Sequence, residues 1–298
     1  MSSGSGAVAR VRRILELAER LLEELAGLPP GGELFERHLA FRWDASRGPG
    51  RIVPVEQPHE FELSDLIGVE AALSSLTANI EQFVAGHPSN HVLLFGARGT
   101  GKSSAVKGLL SRFGSKGLRI VEVHKSDLAQ LPRVLTALRG SRQRFVLFCD
   151  DLSFDRGESE YRELKAALEG SLVAPPENVR IIATSNRRHL LPERASDNRA
   201  VRLDDDGELQ IGEAIDEQLA LSDRFGLVLG FYSFDQKTYL EIVDHYAKKA
   251  RLRTAPEQIE QAALRWALRR SSRSGRTARQ FVDDLAGREA LGLPPRDR

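Results

Sequence analysis

Apolar positions in this chain change their period along its length, and those changes mark out the elements. Over residues 8–25 they recur at helical spacing (Val8, Val11, Ile14, Leu15, Ala18, Leu21, Leu22, Leu25) with Arg and Glu between them, which predicts an amphipathic helix. Gly27-Leu28-Pro29-Pro30-Gly31-Gly32 breaks it, a short segment follows around Phe35 to Trp43, and Arg47-Gly48-Pro49-Gly50 breaks the chain again. Ser64 is placed to cap a further helix beginning at Asp65, with Ile67, Val69, Leu73, Leu76, Ile80 and Phe83 on its inner face. Gly86-His87-Pro88 ends that helix.

Short apolar runs then alternate with helical stretches. Residues 92–95, 119–123, 144–149 and 178–183 read as strands, and helices are predicted over 102–113, 128–138 and 161–168. This alternation implies an α/β fold, a parallel sheet with helices on both faces, whose ligands bind at the carboxyl ends of the strands. Residues 199–211, with Asp204-Asp205-Asp206-Gly207 at their centre, read as a polar hairpin or exposed loop. Beyond Gly230 the pattern is helical only, over 236–250, 256–270 and 277–291. The expected division is an N-terminal helical accessory region (1–60), an α/β core (61–230) and a small all-α domain (231–298). No internal repeat is visible.

At 298 residues and 41% hydrophobic, the chain can bury a full core. Lys+Arg 43 against Asp+Glu 42 leaves a formal net charge of +1, so any polyanion contact must be local. The single Cys149 excludes an internal disulfide and a thiolate metal cluster and fits a reducing compartment. The start of the chain lacks an apolar signal core and no run reaches membrane-spanning length, so a cytoplasmic location without a membrane partner is expected. His87 and His91 flank a Pro-Ser-Asn loop rather than sharing a helix face, which argues against a metal site there.

The stretch with the most chemistry runs from His91 to Lys107. Gly96, Gly101, Lys102 and Ser103 fall on the spacing G-x-x-x-x-G-K-[ST] of a phosphate-binding loop, between a predicted strand and a predicted helix. Glycines let backbone N–H groups turn inward around phosphate oxygens, and the helix adds the positive end of its dipole. Gly96, Ala97, Arg98, Gly99, Thr100, Gly101, Lys102, Ser103 and Ser104 are therefore the candidate phosphate-binding residues. Lys102 would reach the β and γ phosphates, and the Ser103 hydroxyl would ligate Mg2+. Asp150 closes the buried strand 144–149, where it would hold Mg2+ through water, and Asp151 is placed to polarise an attacking water.

With these motifs in order, the sequence resembles the AAA+ ATPases. In that family the acidic-ended strand is followed by another ending in a polar sensor, here Ala183-Thr184-Ser185-Asn186, so the resemblance makes Asn186 the residue that positions the lytic water. Leu221-Ser222-Asp223-Arg224-Phe225-Gly226 looks like the arginine-finger box, which implies that Arg224 acts on a nucleotide held by a neighbouring subunit. The helical tail resembles the AAA+ lid. Ser274-Gly275-Arg276-Thr277-Ala278-Arg279-Gln280-Phe281 admits two alignments of sensor 2, Arg276 or Arg279; Arg279 is preferred because it lies inside the predicted helix. Asp65-Leu66-Ile67-Gly68 resembles the segment that closes over adenine, with Ile67 and Gly68 the contact residues. The phrases Phe-Cys-Asp-Asp-Leu-Ser-Phe, Ala-Thr-Ser-Asn-Arg-Arg-His-Leu and Leu-Ser-Asp-Arg-Phe-Gly-Leu look like one bacterial AAA+ branch catalogued as a family of unknown function.

Two features depart from the wider AAA+ pattern. Asp151 stands where most members have glutamate, one methylene shorter, and residues 117–144, where threading members carry an aromatic pore loop, hold no Phe, Tyr or Trp. The resemblance implies ATP and Mg2+ as cofactors, a homo-oligomer with ATP at subunit interfaces, and remodelling of an unknown protein or nucleoprotein partner. The alternatives are a DNA-associated factor like a helicase loader, for which Arg269, Arg270, Arg273 and Arg276 supply local charge, and an ATP-gated switch with little turnover.

Overall fold

The structure, a computed structural model, describes residues 13, 32–46, 48, 50–154, 159–169, 175–187, 190, 202–203, 209–210 and 223–293. Apart from Arg13, the helix expected over 8–25 lies outside them, as do Asp204-Asp205-Asp206-Gly207 and Leu221-Ser222. The described elements begin with helix α1 (Gly32–Arg37), strands β1 (Ala40–Asp44) and β2 (Arg51–Pro54), helix α2 (Glu70–Val84), β3 (Val92–Gly96) and α3 (Lys102–Phe113). They continue with β4 (Leu118–Glu122), α4 (Leu131–Leu138), β5 (Arg144–Cys149), α5 (Ser159–Glu169) and β6 (Val179–Ser185). A two-stranded hairpin, β7 (Arg202–Leu203) with β8 (Leu209–Gln210), precedes β9 (Leu227–Phe231) and helices α6 (Gln236–Lys249), α7 (Pro256–Arg269) and α8 (Gly275–Ala290).

Among the described residues, the main sheet has seven strands in the order β2-β1-β4-β5-β6-β3-β9. Every neighbouring pair is parallel except β1 with β2. The apolar runs are continuous because both faces of the sheet are covered, and side-chain parity assigns each residue to a face. Val92, Leu94, Val146 and Phe148 join Leu76, Ile80 and Phe83 of α2 and Leu109 and Phe113 of α3. Leu93, Phe145, Leu147 and Cys149 turn the other way, toward Val134 and Leu138 of α4 and Leu164 of α5. Each such side chain stabilises the fold by about 1.5–3 kcal/mol on burial. This is the α/β architecture that the sequence pattern implies.

Two expectations are corrected. The boundary near residue 60 does not divide the sheet: β1 pairs in parallel with β4, and Phe35, Phe41, Trp43 and Ile52 lie in the same cluster as Phe145. Buried Arg119 fastens this segment, its Nε donating to the Phe35 carbonyl (2.6 Å) and its Nη1 to those of Gly114 (3.0 Å) and Leu118 (2.8 Å). Second, Ser64 caps no long helix. Residues 63–65 form one 3-10 turn and α2 starts five residues later than Asp65, at Glu70, because Gly68 sits at φ 80°, outside the helical region. One further strand, β9, which the sequence pattern did not mark, pairs with β3 from Leu227 opposite Val92 to Phe231 opposite Gly96.

The lid is a three-helix unit closed around Tyr239, Ile242, Val243, Trp266, Phe281 and Val282. Asp235 caps α6 by accepting from the Thr238 N–H (2.8 Å), and Ser274 caps α8 by accepting from the Thr277 N–H (3.2 Å). Because α8 starts at Gly275, Arg276 and Arg279 are both helical and stand on one face, three residues apart.

Candidate functional site

The phosphate-loop sequence begins where β3 meets the end of β9. Gly96 has φ 132°, and a Cβ there would lie 2.0 Å from the Phe231 carbonyl oxygen, which also accepts the Ala97 N–H at 3.1 Å. Only glycine fits that approach. Thr100 Oγ1 closes the loop on the Ala97 carbonyl (2.8 Å), and α3 begins at Lys102. The first-turn N–H groups of α3 have no intrahelical acceptor, so its positive dipole end stands at the loop. Gly99 marks the opposite contact: a Cβ on it would meet Ser274 Oγ at 2.7 Å, and its carbonyl accepts the Arg276 N–H at 3.3 Å. The loop is thus wedged between sheet and lid.

Lys102 is 7% exposed, and its Nζ donates to the carbonyls of Gly96 (2.7 Å) and Ala97 (2.8 Å) and to Asn186 Oδ1 (3.2 Å). Burial pushes its ammonium below the usual lysine range; Asp151 and Asp150 pull the other way, and Arg276 and Arg98 add to the depression. Ser103 Oγ donates to Asp150 Oδ1 at 2.6 Å. The Thr184 hydroxyl donates to the same oxygen at 2.6 Å and accepts the Asp151 N–H at 2.8 Å. Asp151 has φ 51°, a left-handed conformation that aspartate tolerates better than most residues. Its carboxylate accepts from Asn186 Nδ2. Asn186 therefore joins Lys102 to Asp151, one end of its amide on each.

These groups line a cavity of about 1050 Å³ between core and lid. It brings together Ile67, Arg98, Gly99, Thr100, Gly101, Lys102, Ser103, Ser104, Asp150, Asp151, Asn186, Arg276 and Arg279. Gly68, Gly96 and Ala97 lie behind its wall: Gly68 packs on Phe234 and Thr238 of the lid side, and its N–H donates to Glu70 Oε1 (2.7 Å). Arg224 is not brought to the cavity. It precedes β9 at the end of the sheet where β3 begins, and about five residues of strand, roughly 16 Å, separate that end from the loop. The two lid arginines differ as well. Arg276 abuts the loop through Gly99, whereas Arg279 Nε donates to Asp283 Oδ1 (3.0 Å) and its guanidinium lies 5.1 Å from the Tyr246 ring centre.

The sequence reading assigned no role to Thr184 or to the contact of Asp65 with His245 and Lys249. Asp65, 7% exposed, accepts from Lys249 Nζ at 2.6 and 2.8 Å and lies 2.9 Å from His245 Nε2. Burial, the largest influence, pushes the Asp65 carboxyl up, but bonds from Lys249 and His245 outweigh it and hold it below the usual carboxylate range. His245 and Lys249 sit at i and i+4 on α6, a spacing visible in sequence, although nothing local names Asp65 as their partner. His91, of the histidine pair, accepts the Ile181 N–H at 2.9 Å, and burial with Arg180 nearby pushes it down to about 4, so it stays neutral.

The donor set is one of hard oxygens (Ser103, Asp150) beside a buried ammonium and a helix N-terminus, which suits a polyphosphate carrying a divalent cation. Comparison with known proteins agrees at the level of fold. The Thermotoga maritima RuvB Holliday junction branch migration motor superposes with a TM-score of 0.53 at 20% identity, covering 80% of this chain and 68% of that one. The Aeropyrum pernix ORC1 protein, solved in complex with DNA, superposes with a TM-score of 0.51 at 14% identity over 78% of this chain and 63% of that one. A proteasome-activating nucleotidase from Methanocella arvoryzae is 27% identical over 164 residues, 46% of this chain; the match spans only 39% of that relative's length. The fold is the one these solved structures share, the AAA+ fold. A family profile described as "Protein of unknown function (DUF815)" matches residues 36–289, nearly the whole described chain, β1 and the lid included, and to that family the chain belongs.

Proposed function

We propose that the chain is a Mg-dependent ATPase that couples ATP binding and hydrolysis to remodelling of a protein or nucleoprotein partner. The observation that carries this reading is the continuous set of contacts Ser103–Asp150 and Lys102–Asn186–Asp151 on the floor of the core–lid cavity. Lys102 would leave the Gly96 and Ala97 carbonyls for phosphate, and Ser103 and Asp150 would hold Mg2+, which supplies charge neutralisation between phosphate oxygens. Asp151, held by Asn186, would orient the attacking water. Arg276, seated against the loop, is the better candidate to reach the γ phosphate, with Arg279 engaged by Asp283 and Tyr246. Arg224 would act on the nucleotide of a neighbouring copy, since it stands at the far end of its own sheet. A stretch without aromatics at 117–144 makes threading through an aromatic pore an unsuitable way of handling the partner.

The test is ATP turnover by the purified chain. Lys102→Ala is expected to abolish it, and undiminished turnover would sink the assignment. Arg224→Ala is expected to lose turnover and to regain part of it when mixed with Lys102→Ala; no recovery at any ratio refutes action in trans. A second reading, a DNA-associated factor, is favoured by one observation: Arg265, Arg269, Arg270 and Arg273 are all exposed around the end of α7. Turnover stimulated by DNA, with a steep loss as salt rises, is its signature. An ATP-gated switch would instead show one slow turnover per bound ATP.

A further inference from the structure

We propose that Thr184 is a positioning residue for the ATPase site, a role that rests on the ATPase reading above. Its hydroxyl bridges both strand-end aspartates. It donates to Asp150 Oδ1 (2.6 Å) and accepts the Asp151 N–H (2.8 Å). The second bond decides the direction of Asp151. A residue at φ 51° needs its backbone held, and the residue that follows is held by the same strand: the Leu152 N–H donates to the Thr184 carbonyl at 2.7 Å, and Ser185 Oγ donates to the Leu152 carbonyl at 2.7 Å. The end of β6 thus templates the turn that follows β5. Thr184 is 1% exposed at the edge of the cavity, so these two bonds are made almost out of reach of solvent.

The arrangement also explains why a hydroxyl is needed rather than a carboxamide or a methyl. A single oxygen must donate one way and accept the other, which Ser or Thr can do and Val cannot. The first bond leaves Asp150 Oδ1 shared between Ser103 and Thr184, so if Ser103 were to hold a metal, Thr184 would still fix the Asp150 rotamer. Thr184 touches no reacting atom in this scheme; it acts through the two aspartates.

Steady-state ATP hydrolysis of Thr184→Val and Thr184→Ser, with ATP affinity measured separately, tests the proposal. Thr184→Val keeps the volume and deletes the donor and acceptor. It should lower kcat about 10- to 100-fold, the range expected when a reacting group is displaced by a fraction of an ångström to an ångström, while KM for ATP changes less than about threefold. Thr184→Ser restores the hydroxyl and should return kcat to within about threefold of wild type. In an Asp151→Asn background, Thr184→Val should add little further loss, because both changes act on one group. If Thr184→Val does not fold, Thr184→Cys, of similar volume but a weak donor, takes its place in the comparison. A folded Val or Cys variant with wild-type kcat, a Ser variant as impaired as Val, or full additivity with Asp151→Asn overturns the proposal alone when Lys102→Ala remains inactive. Absence of any Lys102-dependent turnover overturns the ATPase reading and this inference together.

Discussion

The core–lid contact at Asp65 allows a quantitative test of what holds the cavity closed. Asp65 is buried, Lys249 is half exposed at 51%, and His245 is 32% exposed. A charge-assisted hydrogen bond contributes about 1.5–3 kcal/mol when buried, and an exposed ion pair about 0.2–1 kcal/mol. This contact falls between those limits. Asp65→Asn preserves shape and an acceptor while deleting the charge, and should cost about 1–2 kcal/mol. Lys249→Met should cost more, about 3 kcal/mol, because it leaves a carboxylate buried with His245 alone, whereas the first change frees a lysine that water can reach. The double variant should be milder than the sum of the two by at least about 1 kcal/mol. Urea denaturation supplies the three numbers. The pH dependence has a definite sign: the folded carboxyl is held below its ordinary value, so its contribution is complete above about pH 3.9 and is lost as pH falls through the lower folded value. The stability gap between wild type and Asp65→Asn should therefore close in that acid range. Lys249→Met milder than Asp65→Asn, or effects that add within about 0.3 kcal/mol, would refute the asymmetry.

Other consequences are simpler to read. Phe41→Ala, at a position 1% exposed in β1, should destabilise the whole α/β core by about 3–5 kcal/mol in the same denaturation experiment, whereas an accessory segment would tolerate it. Gly96→Ala places a Cβ 2.0 Å from the Phe231 carbonyl and should cost at least about 2 kcal/mol or prevent folding; a wild-type melting curve would refute the β3–β9 approach described above. Arg276→Ala should reduce ATP turnover by about tenfold or more and Arg279→Ala by less, and the reverse order would return sensor 2 to Arg279. Asp151→Asn should keep ATP affinity while slowing hydrolysis at least about tenfold, measured by binding and turnover on one preparation.

What was legible in the sequence was what is local. The phosphate loop needs eight consecutive residues, and the buried strands announce themselves as runs such as Phe145-Val146-Leu147-Phe148 because a doubly covered sheet leaves no polar face to interrupt them. Strand β9 escaped because it is an edge strand with Gly230 inside it, and β1 because Arg42 and Asp44 make five residues look like loop. The links that complete the site are long-range and leave no pattern: Thr184 meets Asp150 across 34 residues and Lys249 meets Asp65 across 184. Topology then sets a limit that motif order cannot. A parallel sheet puts every strand's carboxyl end on one side, so a residue just before β9 and a loop just after β3 lie at opposite ends of the same pair of strands. Arg224 and Lys102 are therefore separated within one chain by the length of the sheet itself. Closing the lid cannot bring them together, because the lid packs at the loop end, where Gly99 meets Ser274. A site that uses both residues has to draw them from two copies.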